Sequence, residues 1–291
     1  MEKLKNCPIC TSEESRLFLQ CKDYTVSQKV FDIVECSACG FKYTNPRPKP
    51  EELGKYYESE EYISHSGTKK GLIYKAYHIA RNYTLSKKFT LINKNQPKNL
   101  LDIGCGTGEF LNYCKQKGLN TTGVEPGEKA RNFATFEYSL TVFDEDFLKN
   151  TDKKFDVITM WHVLEHVPFL QQRMEELYAL LSDDGALYIA VPNCESYDAS
   201  YYGKYWAAYD VPRHLYHFTK KDISSLAEKN NFIVEKIFPM KLDSFYVSML
   251  SEKYKSGKIN YFNAFIIGLK SNLKAGKDNY SSLIYLLKKR K

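Results

Sequence analysis

Long apolar runs are missing from this sequence of 291 residues. None opens the chain, and none approaches the roughly 18 residues that a membrane-crossing helix requires. The sequence therefore predicts neither a secretory leader nor a membrane span, and the expected location is the cytoplasm. An excess of positive charge is also missing from most of the chain. The net charge is +7, yet Ser251 to Lys291 holds ten Lys/Arg and two acids, a balance of +8 that leaves −1 for everything before it. That distribution excludes a uniformly basic nucleic-acid binder. A basic end of this kind can meet phosphates, RNA or an anionic membrane, or it can be a solvated lysine-rich face. Disulfides are disfavoured in the cytoplasm, so the eight cysteines point to metal or chemistry.

Four of those cysteines form two pairs, Cys7-Pro8-Ile9-Cys10 and Cys36-Ser37-Ala38-Cys39-Gly40, with 25 residues between them. Each C-x-x-C can make a tight knuckle with both thiolates facing inward. Two knuckles give the four sulfurs of a tetrahedral zinc site. With no position left open, such a zinc is structural. The alternatives are a redox C-x-x-C or unrelated cysteines. Cys21 falls outside the spacing and reads as a buried thiol or a loop residue.

Asn45-Pro46-Arg47-Pro48-Lys49-Pro50 cannot continue a helix or a central strand, and it ends the first unit, residues 1–45. Residues 46–97 read as a linker and a mostly helical, tyrosine-rich cap. Residues 98–291 read as one α/β domain. Its landmark is Leu100-Leu101-Asp102-Ile103-Gly104-Cys105-Gly106-Thr107-Gly108-Glu109-Phe110. A short apolar strand breaks into alternating glycines and enters a helix, which makes a crevice at a strand's carboxyl end. The third glycine of a dinucleotide loop is lacking, because Glu109 stands there and would repel a pyrophosphate. A second strand, Thr121–Val124, ends in Glu125, whose carboxylate can accept both hydroxyls of a ribose.

Asp102, Gly104, Gly106, Gly108 and Glu125 together resemble the class I S-adenosylmethionine-dependent methyltransferases over roughly residues 98–240. The resemblance implies an α/β fold with a seven-stranded doubly wound sheet, here with a zinc-ribbon-like module and helical cap before it. It also implies S-adenosylmethionine as cofactor, with Cys105 in the glycine loop. Strands are expected near Thr141–Phe143, Phe155–Trp161, Gly185–Pro192, Phe232–Phe238 and Ser282–Lys288, the last antiparallel and inserted beside the fifth. Residues 241–280 then form an insertion that docks on a membrane, covers the substrate as a lid, or packs on its own domain. In that family a polar residue after the third strand meets adenine, a place held by Asp146 with Phe147. Trp161 and His162 fall near the methyl donor. Tyr57, Tyr62 and His65 are candidates for the wall of the substrate site.

His162-Val-Leu-Glu165-His166 has the order of one zinc-protease motif, but it lies where a strand gives way to a loop before Pro168, not on a helix. Leu170, Met174, Leu177 and Leu181 form a helical core stripe with Gly185 as terminator. Thr219 and Asp222 open the next helix as a capping box. Between them, Asp210-Val-Pro-Arg213-His214-Leu-Tyr-His217 gathers ionisable groups after the fifth strand. A histidine there has the right pKa to act as base. The stretch His214-Leu-Tyr-His-Phe-Thr is similar to one in bacterial deoxysugar C-methyltransferases, which also carry a four-cysteine zinc domain. That resemblance implies catalysis by His214. His217 and Tyr62 are the further catalytic candidates. Arg213 replaces that family's glutamate, and its large second domain is lacking. The acceptor class stays open between a small molecule and a glycan. An RNA methyltransferase and a non-catalytic zinc-binding interaction protein are the alternatives. Oligomeric state is not legible.

Overall fold

The computed structural model describes residues 1–57 and 72–291, with the backbone alone over 72–80. Tyr62 and His65 lie outside the described residues. The N-terminal segment forms β1 (Ser15–Lys22), β2 (Val30–Cys36) and β3 (Lys42–Thr44), then a 3-10 turn at Pro50–Tyr56 and α1 (Leu72–Ile92). Alternation follows with β4 (Asn99–Ile103), α2 (Glu109–Gln116), β5 (Asn120–Val124), α3 (Glu128–Tyr138), β6 (Val142–Phe143), α4 (Phe147–Asn150) and β7 (Phe155–Trp161). Next come α5 (Leu170–Leu180), β8 (Leu181–Pro192), α6 (Tyr197–Tyr202), β9 (Tyr216–His217), α7 (Lys220–Lys229) and β10 (Phe232–Pro239). After β10 stand α8 (Asp243–Ser256), α9 (Tyr261–Lys274) and β11 (Ser282–Lys289).

Seven strands form one sheet in the order β10-β11-β8-β7-β4-β5-β6, with β11 antiparallel to both neighbours and the pairs from β8 to β6 parallel. The expected seven-stranded arrangement is present, including the inserted last strand. Its central strands are apolar on both sides because both faces are covered. Leu187, Ile189 and Val191 of β8 join a cluster with Leu170, Met174 and Leu177 of α5 and Ile223 and Leu226 of α7. Ala186, Tyr188 and Ala190 join the opposite cluster, with Phe110, Leu111 and Cys114 of α2 and Ala134 of α3. The helix expected to stop at Gly185 stops at Leu180 instead. Leu181 already pairs with Phe155, and Gly185 lies inside β8 near a register shift.

A second sheet, β1-β2-β3-β9, crosses the boundary expected at residue 45. Lys42 and Tyr43 pair with His217 and Tyr216, so the N-terminal segment takes its fourth strand from the loop after β8. Cys7, Ile9, Cys36 and Phe41 belong to the same apolar cluster as α5 and α7. Cys21 is a buried thiol on β1, packed among Ala199, Tyr202 and Trp206. Thr219 accepts from the Asp222 N–H and Asp222 accepts from the Thr219 N–H, the expected capping box. Residues 241–280 hold the helical hairpin α8–α9. No helix among the described residues is long and apolar enough to cross a membrane.

Candidate active site

β4 and β5 end side by side at the carboxyl edge of the sheet, and the glycine loop turns there. Gly104 has φ +69°, and a Cβ on it would lie 2.4 Å from the Val163 side chain, so the turn needs glycine on two counts. Gly106, at φ +55°, has nothing within 4 Å of the place a Cβ would take. Open space therefore stands over the loop's middle. Glu125 reaches this space from β5. Its Oε2 accepts from the Gly106 N–H at 2.9 Å and its Oε1 from the Gly127 N–H at 2.8 Å. Each oxygen keeps a lone pair for a further donor. Burial pushes the Glu125 carboxyl above its ordinary pKa, with the two N–H bonds opposing.

Asp102 is buried at the end of β4 and accepts from the Thr159 hydroxyl at 2.6 Å. Burial pushes its pKa up to about 7. Lys88 of α1, half-buried, lies over the Trp161 ring at 4.4 Å. Burial lowers its pKa against the pull of Asp102 and Asp243. A cation beside the sheet edge is suited to a ligand carboxylate, and nothing in the run of lysines around position 88 marked it. Cys105 is buried in the loop. Glu109 is engaged by Arg81 at 2.7 Å and by the Thr107 hydroxyl. Trp161 stands edge-on to Phe110 at 5.4 Å, and its indole N–H is buried with no partner among the described residues. Asp146 is exposed at the start of α4, and the Phe147 ring stacks on Phe143 at 4.4 Å.

Behind Val163 the chain makes a 3-10 turn, Leu164–His166, which gathers a cluster of ionisable side chains. His162, at φ +57°, lies between Asp243 (Nε2–Oδ2 3.0 Å) and Glu165 (Nδ1–Oε1 3.4 Å). Burial works against its charge, but the two carboxylates prevail and raise its pKa to about 9. Glu165 is fully buried, and neither carboxylate oxygen has a hydrogen bond within the usual limits among the described residues. Burial would raise its pKa, yet His162, His214 and His166 together lower it. His166 is pushed down to about 4 by burial and then by His214. Its Nδ1 lies between the Tyr57 hydroxyl (2.8 Å) and the Arg213 carbonyl (3.1 Å).

The His214 ring meets His166 edge-on at 4.5 Å. Its Nδ1 stands 2.8 Å from the Ala208 carbonyl, which can only accept, so Nδ1 carries the proton and Nε2 presents a lone pair. Asp210 Oδ2 lies 4.0 Å from that Nε2. Glu165, His166 and His214 each offer a ligand atom within 4.8 Å of the others, a set able to hold a divalent cation. His217 is placed apart from this group. It is buried, bonds the Thr44 hydroxyl at 3.2 Å and meets Tyr209 edge-on, and burial depresses its pKa strongly. Arg213 pairs with Asp210 and with Asp23 of the β1–β2 connection, tying the N-terminal sheet to the site loop. Glu165, His166, Asp210, Asp243 and Lys88 join the site without having been chosen from sequence. For the first two, the Leu-Glu-His stretch after β7 was the available signal.

The four N-terminal cysteines converge as well. Cys7 and Cys39 sulfurs are 3.6 Å apart, Cys10 and Cys36 3.5 Å, and all four lie within 4.8 Å of one another. A tetrahedron of 2.3 Å zinc–sulfur bonds has edges of about 3.8 Å. The donor set and its dimensions therefore fit zinc.

Comparison with known proteins bears on the same edge of the sheet. A family model described as a methyltransferase domain matches residues 77–237. A ubiquinone biosynthesis O-methyltransferase of Actinobacillus pleuropneumoniae is 38% identical over 109 residues, 33% of this chain and 46% of that protein. A protein of the same description from Haemophilus ducreyi is 31% identical over 155 residues, 49% of this chain and 64% of that one. The chain thus spans about half to two thirds of the length of these relatives. Among solved structures, a SAM-dependent methyltransferase from Archaeoglobus fulgidus matches with TM-score 0.50 and 22% identity, covering 72% of this chain and 94% of that one. The magnesium protoporphyrin IX methyltransferase of Synechocystis matches with TM-score 0.55 and 15% identity, covering 84% and 100%. These likenesses show the fold.

Proposed function

Because this chain belongs to the methyltransferase-domain family, we propose that it moves the methyl group of S-adenosylmethionine to a hydroxyl of a small acceptor. Bound over the glycine loop, the cofactor supplies an electrophilic methyl carbon on a sulfonium. The residues present fit it: open space above Gly106, Glu125 for the ribose, and Lys88 for the carboxylate. Asp146 with Phe147 would border the adenine, and Trp161 and His162 the reacting end. The relatives named above are O-methyltransferases, which supports oxygen as the atom methylated. A glycan hydroxyl remains within this chemistry, and nothing in the site favours RNA.

The observation that carries the reading is the Glu165–His166–His214 cluster, made by the turn that follows Val163, whose side chain packs on Gly104, and by the loop before β9. His214 Nε2 takes the acceptor's hydroxyl proton as the oxygen attacks. Glu165 and Asp210 stabilise the resulting imidazolium, and the Ala208 carbonyl holds the ring in place. The Glu165 carboxylate, held among the described residues only by its 3.4 Å ion pair with His162, favours a second reading, in which the same three side chains hold a divalent cation that acidifies the hydroxyl. The N-terminal cysteines hold a structural zinc that fixes the first sheet against the site loop.

Transfer of labelled methyl from S-adenosylmethionine to small phenols and sugar nucleotides tests the proposal. His214→Ala should lower the rate by about 100-fold or more with cofactor affinity unchanged. Under the base reading, the rate of enzyme whose four-thiolate zinc is intact does not change as other divalent cations are removed or added back, whereas under the cation reading it follows them. A His214→Ala variant as active as wild type refutes both.

A further inference from the structure

One face of the α8–α9 hairpin is left uncovered among the described residues. On α9, Ala264, Ile267, Gly268 and Ser271 are buried against the body. Phe262, Phe265, Leu269 and Leu273 lie on another side and are 76%, 58%, 41% and 74% exposed. Their spacing of three and four residues makes them one continuous stripe along the helix. Lys270, also exposed, stands at the next position round; Lys274 lies further round with its ammonium over the Tyr197 ring at 4.3 Å, and Lys277 stands just beyond the helix end. Two of the three acids in this segment are turned away, while Asp278, half-buried, stands beside Lys277 at the far end of the patch. Asp243 bonds His162, and Glu252 is buried against the Tyr202 hydroxyl and Asn263.

We propose that this stripe and its lysines form a docking surface for an anionic phospholipid bilayer. Charge decides the occupant: apolar side chains bordered by cations match an acyl boundary beneath acidic headgroups. A helix of 14 residues is about 21 Å long, short of the roughly 30 Å of a bilayer core, so α9 lies in the plane of the interface. The surface is coupled to the site, because α8 starts at the Asp243–His162 bond and its Ser251 hydroxyl accepts from the Ala207 N–H of the loop between α6 and β9, the acceptor loop. Docking does not depend on the methyl-transfer chemistry, so each is open to test without the other.

Sedimentation of the full chain with vesicles measures it. Binding is expected to phosphatidylcholine vesicles containing phosphatidylglycerol, weakening with salt, and not to phosphatidylcholine alone. The double change Phe262→Asp with Leu273→Asp should lower partitioning at least about tenfold. Replacing Lys270 and Lys274 by serine should lower it about fivefold per lysine, on anionic vesicles only. These side chains are exposed, so thermal melts of all variants should match wild type. Equal binding by wild type and the double aspartate variant overturns the proposal. So does a failure to prefer anionic vesicles. If instead the chain is a dimer that Phe262→Asp dissociates, or an RNA binder that the lysine changes silence, without vesicle binding in either case, that other occupant replaces the bilayer.

Discussion

Glu125→Gln is the sharpest perturbation of the cofactor site, because it changes one atom and removes one charge. In the wild type both carboxylate oxygens are already committed to backbone donors, Gly106 N–H at 2.9 Å and Gly127 N–H at 2.8 Å. Their remaining lone pairs are what a ribose would use. A glutamine places an NH₂ where one oxygen stood, and an NH₂ cannot accept. Whichever way the amide turns, one loop N–H loses its acceptor and one ribose hydroxyl loses its partner. A hydrogen bond to a charged group contributes about 1.5–3 kcal/mol, so affinity for S-adenosylmethionine or its demethylated product should fall roughly 10- to 150-fold. Isothermal titration measures it, with a melt of the unliganded variant separating folding from binding. Glu125 is half-buried, so water can reach an N–H left bare, and the fold should survive. Affinity within about twofold of wild type would mean that the carboxylate does not meet the ribose, and the cofactor placement would be wrong.

Cys36→Ser removes one of four sulfurs that lie within 4.8 Å of one another. Metal analysis of the purified chain should show zinc in wild type and a marked loss in the variant, with a lower melting temperature because Cys7 and Cys36 sit in the apolar cluster with Ile9, Phe41 and Tyr43. Equal zinc content in both would rule out the four-thiolate site. Asp102 tests burial through pH. Its pKa rises from 3.8 to about 7 on folding, so between those values the folded chain keeps a proton that the unfolded chain has lost. Stability from this group is therefore full below about pH 4, declines as pH rises, and has lost about 4 kcal/mol by the time pH passes 7. Asp102→Asn keeps an acceptor for the Thr159 hydroxyl and has no proton to lose. Melts at several pH values should show a shallower fall with pH in the variant than in wild type, and an identical slope would refute the assignment.

Features carried by consecutive residues were legible, and features made by distant residues were not. The seven strands could be read because central strands of a covered parallel sheet must be apolar on both faces, and Leu187 to Val191 has no polar residue to confuse the pattern. The glycine loop, Glu125 and the two C-x-x-C pairs could be read because their geometry is local. Gly185 misled for a local reason too. Ser182-Asp-Asp-Gly has the composition of a turn, yet Leu181 is fully buried and paired with Phe155, so the strand begins before the polar residues and carries them outward at its edge.

The ionisable groups of the candidate site lie on the other side of that divide. Arg213 meets Asp23 across 190 residues, His162 meets Asp243 across 81, and Tyr57 meets His166 across 109. No spacing rule connects such pairs; only the sheet order that brings β9 beside β3, and the hairpin beside the acceptor loop, does so. Arg213 shows the consequence most clearly. In sequence it stands where a catalytic glutamate was expected, and it looks like the loss of a functional group. In the fold its guanidinium is neutralised by Asp210 and Asp23, while the buried carboxylate facing the His214 ring is Glu165, arriving from the turn after β7. On the proposed mechanism the acid comes from another strand's end, which an open α/β sheet permits because all its parallel strands finish along one edge.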